Sequence, residues 1–148
     1  MRVLHLPSIV AAVALAAPVS ARAADPFGVW ETEQRDAHVR IAPCDDRLCG
    51  VIVWLARPAD DSGAPIRDRR NERSELRDRP ILGLNILHGF AADAARQWSG
   101  GDIYNPDDGA TYRAALEPID TRTLAVKGCL WIVCRTQIWR RVDPTTAD

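Results

Sequence analysis

The residues best suited to chemistry are four cysteines in two matched pairs, Cys44-x₄-Cys49 and Cys129-x₄-Cys134. Three chemistries are open to them: a nucleophilic thiol, a four-cysteine zinc site, or two disulfides. Zinc sites usually space the two ligands of each half more tightly. Four intervening residues suit a hairpin turn that brings two Cα atoms within bridging distance. An even cysteine count in a small exported domain reads as disulfides, and the spacing favours Cys44–Cys49 and Cys129–Cys134. Crossed pairing between the two hairpins is the alternative connectivity, and zinc the third reading. Bridged cysteines leave no thiol nucleophile.

Other catalytic groups are sparse. His5 belongs to an N-terminal export signal, which leaves His38 and His88, and neither sits in a metal-binding pair such as H-x-x-x-H. Ser62, Ser74 and Ser99 lack the G-x-S-x-G elbow of a serine hydrolase. Asp102 follows Gly100-Gly101 and precedes Tyr104, which puts a carboxylate on a strand among aromatics. It is the best single candidate for a perturbed acid; the plainer reading is an outward-facing strand aspartate. Asn105-Pro106-Asp107-Asp108-Gly109 faintly resembles a calcium loop without its closing glutamate, and its steps are hairpin-turn chemistry. No catalytic residue, metal ligand or cofactor is assigned.

Groups that could bind a ligand are more plentiful. Trp54, Trp98, Tyr104, Tyr112 and Trp139 either line an interior pocket or fill a core. Arg79, Asn85 and His88 lie where a long polar segment returns to apolar sequence. There they could hold a ligand's acidic head group, a task that suits arginine. The expected ligand-binding set is Trp54, Arg79, His88, Trp98, Asp102, Tyr104 and Tyr112. Leu130-Trp131-Ile132-Val133 places four apolar residues in a turn between cysteines, where polar residues are usual. The loop is expected to fold back as a cap; left exposed, Trp131 would contact an envelope partner or a membrane.

The elements that position these groups read mainly as strands. Apolar alternation and β-branched content mark strands at 28–34, 37–43, 51–55, 101–104, 111–116, 124–129 and 135–142. The unbroken run Val51-Ile52-Val53-Trp54-Leu55 suits a strand covered on both faces. Residues 57–79 hold seven arginines and six acidic residues, with Pro58, Gly63 and Pro65 breaking any regular pattern. That segment reads as a solvated excursion, with a helical turn over 71–76 stopped by Pro80. A short helix is expected over 91–98. About seven strands with short turns point to a small antiparallel barrel or sandwich.

The N-terminus sets the compartment. Arg2, a short apolar stretch over 9–17 and Ala21-Arg22-Ala23 form a secretory signal with an A-x-A cleavage site, so residues 1–23 are expected to be removed. Residues 24–148 then form one β-barrel domain, periplasmic or secreted, with no later transmembrane segment. Loss of Arg2 and Arg22 leaves 17 basic against 20 acidic residues. This near balance argues against a nucleic-acid partner.

Two resemblances follow from particular residues. Gly28-x-Trp30 near the start and Arg140-Arg141 on the last strand resemble the lipocalin (calycin) pattern, in which an arginine covers the tryptophan that plugs the closed end of a barrel. That likeness gives Trp30, Trp139, Arg140 and Arg141 structural roles and leaves open which arginine stacks. The stretches CDDRLCGVIVW (44–54), RPILG (79–83), GGDIYNPDDGATY (100–112), Gly128-Cys129 and Cys134-Arg135-Thr136-Gln137-x-Trp139 resemble a family of small exported bacterial proteins catalogued as domain of unknown function 2147. Together they imply an all-β, calycin/lipocalin-like barrel with one long charged insertion. The leading expectation is capture of a small apolar or amphipathic ligand. The rivals are an envelope protein-interaction module working through the Cys129–Cys134 loop, and a carboxylate-based hydrolase or transferase.

Overall fold

The computed structural model describes residues 25–93 and 97–143; the expected signal peptide lies outside them. Eight strands, β1 (Gly28–Glu31), β2 (Ala37–Cys44), β3 (Arg47–Leu55), β4 (Asn85–Ala92), β5 (Trp98–Asn105), β6 (Ala110–Pro118), β7 (Thr123–Leu130) and β8 (Val133–Arg141), form a closed antiparallel barrel in sequence order. Among the described residues, one 3₁₀ turn, Ser74–Leu76, lies in the charged insertion. The all-β barrel is the architecture expected from sequence, with one strand more than the pattern indicates.

The added strand is β4. Its end was expected to start a helix over 91–98, but Ala91 and Ala92 pair with Ser99 and Trp98 in a sheet. The reason is a broken alternation. Consecutive residues Ile86 and Leu87 are both buried, as is Phe90, and Gly89 adopts φ 76° between them. Register shifts in the β3–β4 pairing accompany this irregularity, and such bulges hide the period of two on which strand recognition depends. The expectation that residues 51–55 are covered on both faces is also corrected. Ile52 faces the core, whereas Trp54 is 43% exposed on the outer wall, stacked on His38 with centroids 4.3 Å apart.

An up-and-down order sends alternate connections to opposite ends. The β1–β2 turn, the 56–84 insertion and the β5–β6 and β7–β8 turns gather at one end, and the β2–β3, β4–β5 and β6–β7 turns at the other. The second end is solid. Trp30, Leu48, Leu87, Phe90, Leu116 and Leu124 are fully buried there, each contributing roughly 1.5–3 kcal/mol by leaving water. A Cβ on Gly101 would meet the Phe90 ring at 2.5 Å, so the wall is bare where that ring lies against it.

Barrel closure rests on a short seam between β1 and β8, in which Trp30 pairs with Arg141 and Glu31 with Arg140, and the Val142 N–H donates to the Val29 carbonyl at 2.9 Å. The Arg141 guanidinium lies 4.2 Å from the Trp30 ring centroid and donates to the backbone carbonyls of Asp25, Phe27 and Thr121. The Trp30 Nε1–H donates to the Pro26 carbonyl at 2.7 Å. Arg141 is therefore the stacking arginine; Arg140 donates to Thr123 Oγ1 instead. Gly28 is required twice over: its φ is 125°, and a Cβ would stand 2.5 Å from Arg141 Nη1.

Cysteines pair as Cys44–Cys49 and Cys129–Cys134, with Cα separations of 5.5 and 4.0 Å. The two bridges staple turns at opposite ends, which excludes both the crossed connectivity and a shared four-cysteine metal site.

Two stability tests follow from this arrangement. Each bridge closes a short loop, so reduction should remove on the order of 2–3 kcal/mol per bridge. The reduced protein should stay folded and melt several degrees lower by circular dichroism. Gly28→Ala should cost about 1–3 kcal/mol in urea unfolding, through strain and displacement of Arg141.

Candidate ligand-binding site

The open half of the barrel is hollow. A cavity of about 1210 Å³ runs from the mouth between the walls, large enough for a small lipid-like molecule. Its depth is apolar, lined by Ile52, Ile86, Ile103, Val126 and Trp139. Its rim is polar and of mixed charge, with Asp36, Arg57, Asp107, Asp108 and Arg135. The space exists because β7 carries glycine where a side chain would point inward. Gly128 faces Tyr112 and Ile103, and a Cβ there would meet their atoms at 3.5 and 3.6 Å. Within the wall, Gln137 Oε1 accepts a hydrogen bond from Trp139 Nε1–H at 2.9 Å.

A family model described as "Uncharacterized protein conserved in bacteria (DUF2147)" matches residues 28–141. The chain belongs to the DUF2147 family. The match begins at Gly28 and ends at Arg141, the two residues in contact at the barrel seam. Among solved structures, the chain is similar to protein HP1028 from the human pathogen Helicobacter pylori, described as belonging to the lipocalin family. The identity is 19%, the TM-score is 0.71, and the match covers 82% of this chain and 85% of that one. That likeness concerns the fold. No curated protein matches the chain.

In the DUF2147 barrel the insertion between β3 and β4 is more than a solvated excursion. Ile66 and Ile81 border the cavity and pair through the Ile81 N–H and the Ile66 carbonyl at 3.0 Å. The segment is held by Asp68, whose relative exposure is 0%. Asp68 accepts hydrogen bonds from the Tyr104 hydroxyl, from Asn71 Nδ2 at 2.9 Å and from Arg79 Nε at 2.9 Å. Arg79 Nη2 lies 2.8 Å from the same carboxylate. Gly109, in the β5–β6 turn, completes the dock: a Cβ there would fall 1.9 Å from the Arg70 carbonyl oxygen. Asp68 and Asn71 were not singled out from the sequence, because a lone Asp and Asn inside an Arg-rich run look like solvated charge.

The expected site residues divide into four places. Tyr112 and Tyr104 border the barrel cavity. Arg79, His88, Asn85 and Tyr104 meet around a separate outer cleft of about 510 Å³, between the insertion and the wall. The Asn85 Oδ1 atom there is buried without a hydrogen-bond partner. Trp54 stands on the outer wall. Trp98 packs edge-on to Phe27 at the solid end, with centroids 5.6 Å apart. Asp102 is exposed and faces outward, opposite His88 and Arg113. Trp139, expected to be structural, is buried and also lines the cavity. The expected cap over the mouth is corrected: Trp131 and Ile132 point into solvent, because the Cys129–Cys134 bridge holds a two-residue turn upright.

Both tyrosines of the chain are held protonated. Burial, and then the hydrogen bond to Asp68, push the Tyr104 hydroxyl above its ordinary 10.0. The hydrogen bond to Asp108, 2.6 Å away, does the same at Tyr112. The folded state thus keeps these protons longer than the unfolded chain. Their stabilisation is complete below pH 10.0 and is lost as pH rises through the raised values. The melting temperature should fall above pH 10, with tyrosinate absorbance appearing later in the folded protein than in urea. Tyr104→Phe strips a buried donor from Asp68 and should cost about 1–3 kcal/mol.

Proposed function

We propose that this DUF2147 protein is an exported carrier that encloses a small amphipathic molecule, its apolar part in the barrel and its polar group at the rim. The observation that carries the reading is the cavity itself: apolar at depth, charged at the mouth, and closed below by the Trp30–Arg141 plug. Two disulfides support an oxidising compartment outside the cytoplasm.

The energetics favour chains of moderate length. Burial yields roughly 0.8 kcal/mol per methylene, so an alkyl chain of about ten carbons gains about 8 kcal/mol before ordering costs. Micromolar binding, about 8 kcal/mol net, needs further contribution from the rim. Arg57 and Arg135 suit an acidic head group, while Asp36, Asp107 and Asp108 suit a cationic one.

Native mass spectrometry of protein taken from its host's envelope tests the reading. A retained mass that is lost on denaturation is the expected result, and it identifies the ligand class. Gly128→Leu supplies the control. The new side chain starts from ordinary contact distances and fills the cavity. It should weaken binding of a fluorescent fatty acid more than tenfold while leaving the far-ultraviolet spectrum intact. Equal binding by both proteins would place the probe elsewhere.

A further inference from the structure

The tip of the β7–β8 hairpin is expensive in two independent ways. Trp131 and Ile132 are 95% and 96% exposed, with Val133 largely and Leu130 half exposed beside them. Apolar side chains so fully hydrated gain nothing from folding. Trp131 also adopts φ 57°, a left-handed conformation that two-residue hairpins normally assign to glycine, asparagine or aspartate. Leu130 pairs with Val133 across the turn, and Cys129 is bridged to Cys134 directly beneath. The tip therefore cannot fold back to bury itself, and it stands rigidly at the cavity mouth, which Leu130, Trp131 and Val133 border.

We propose that Trp131 and Ile132 are an anchor that seats the barrel mouth on the surface of a zwitterionic phospholipid bilayer. The shape is convex, so it enters a fluid apolar layer without needing a matching pocket. An indole with an aliphatic neighbour suits the boundary between head groups and acyl chains. The rim around the same mouth carries both signs, Arg57 and Arg135 with Asp36, Asp107 and Asp108, and so complements head groups that carry a phosphate and an ammonium together. A strongly anionic surface would be attracted by the arginines and repelled by the carboxylates. The anchor does not depend on what fills the cavity. If the carrier reading holds, it places the mouth where an amphipathic ligand resides.

Flotation with phosphatidylcholine vesicles tests the proposal on the intact, oxidised protein. Ile132 does not border the cavity and is almost wholly exposed, so Ile132→Ser should preserve both the fold and capture of a fluorescent fatty acid. It should lower the vesicle-bound fraction at least tenfold, with little change between low and high salt. Trp131→Phe should keep most of the binding and abolish the quenching of tryptophan fluorescence by lipids brominated near the head-group end of their chains. Four outcomes would overturn the proposal: wild-type protein that does not float, Ile132→Ser protein that floats equally well, binding confined to anionic vesicles and lost in salt, or a concentration-dependent dimer abolished by Ile132→Ser without vesicle binding. The last would make a second copy the occupant. Loss of fatty-acid capture in wild type, with flotation intact, would overturn the carrier reading alone.

Discussion

The guanidinium of Arg141 holds the first and last strands of the barrel together. β1 is four residues long and meets β8 through two residue pairs and one further backbone bond, from the Val142 N–H to the Val29 carbonyl, so the seam is short. Arg141 compensates by spreading its donors over three carbonyls from two separate segments while covering the Trp30 ring. A planar, always-charged fork can do all of this at once, whereas an ammonium is a point charge. Closure then removes the free edges that an eight-stranded sheet would otherwise expose. It also fixes which end of the barrel is solid.

From that plug upward, the division into floor and cavity is a matter of side-chain volume. The floor is filled because large residues from facing strands meet across it, with Gly50 and Gly101 yielding room to Leu87 and Phe90. The upper half stays open because β7 yields room at Gly128 and nothing crosses to fill it. The charged insertion works at this level too. Its buried Asp68 is offset by a guanidinium, a hydroxyl and an amide, since an unpaired carboxylate at that depth would cost several kcal/mol. The reward for this polar network is position: it sets Ile66 and Ile81 at the cavity wall and ties the insertion to Tyr104 of β5.

Much of this was legible in the residues. Gly28-x-Trp30 and the paired arginines pointed to the plug through their likeness to the lipocalin pattern, and left open which arginine stacks. The x₄ spacing of each cysteine pair matched a hairpin staple. β4 was not legible, because Gly89 and the adjacent buried pair Ile86-Leu87 disrupt the alternation by which strands are recognised. The candidate site was read only in part. Tyr112 and Tyr104 do border the cavity, while Arg79 and His88 converge on an outer cleft. Their closeness in sequence reported a shared neighbourhood, and nothing in it said which side of the wall they face.

The sequence by itself determined what depends on local pattern: strands from alternation, turns from Asn-Pro and Asp-Gly, disulfide spacing, and an export signal as an expectation. Tertiary structure alone decided what depends on inside against outside. Asp68 became a buried hub, Asp102 an exposed wall residue, and the Cys129–Cys134 loop an upright apolar tip where a cap was expected. The physical reason is that a barrel has one interior shared by all eight strands. Whether a side chain enters it depends on register, bulges and the volume of partners far away in sequence, and no local window contains those quantities.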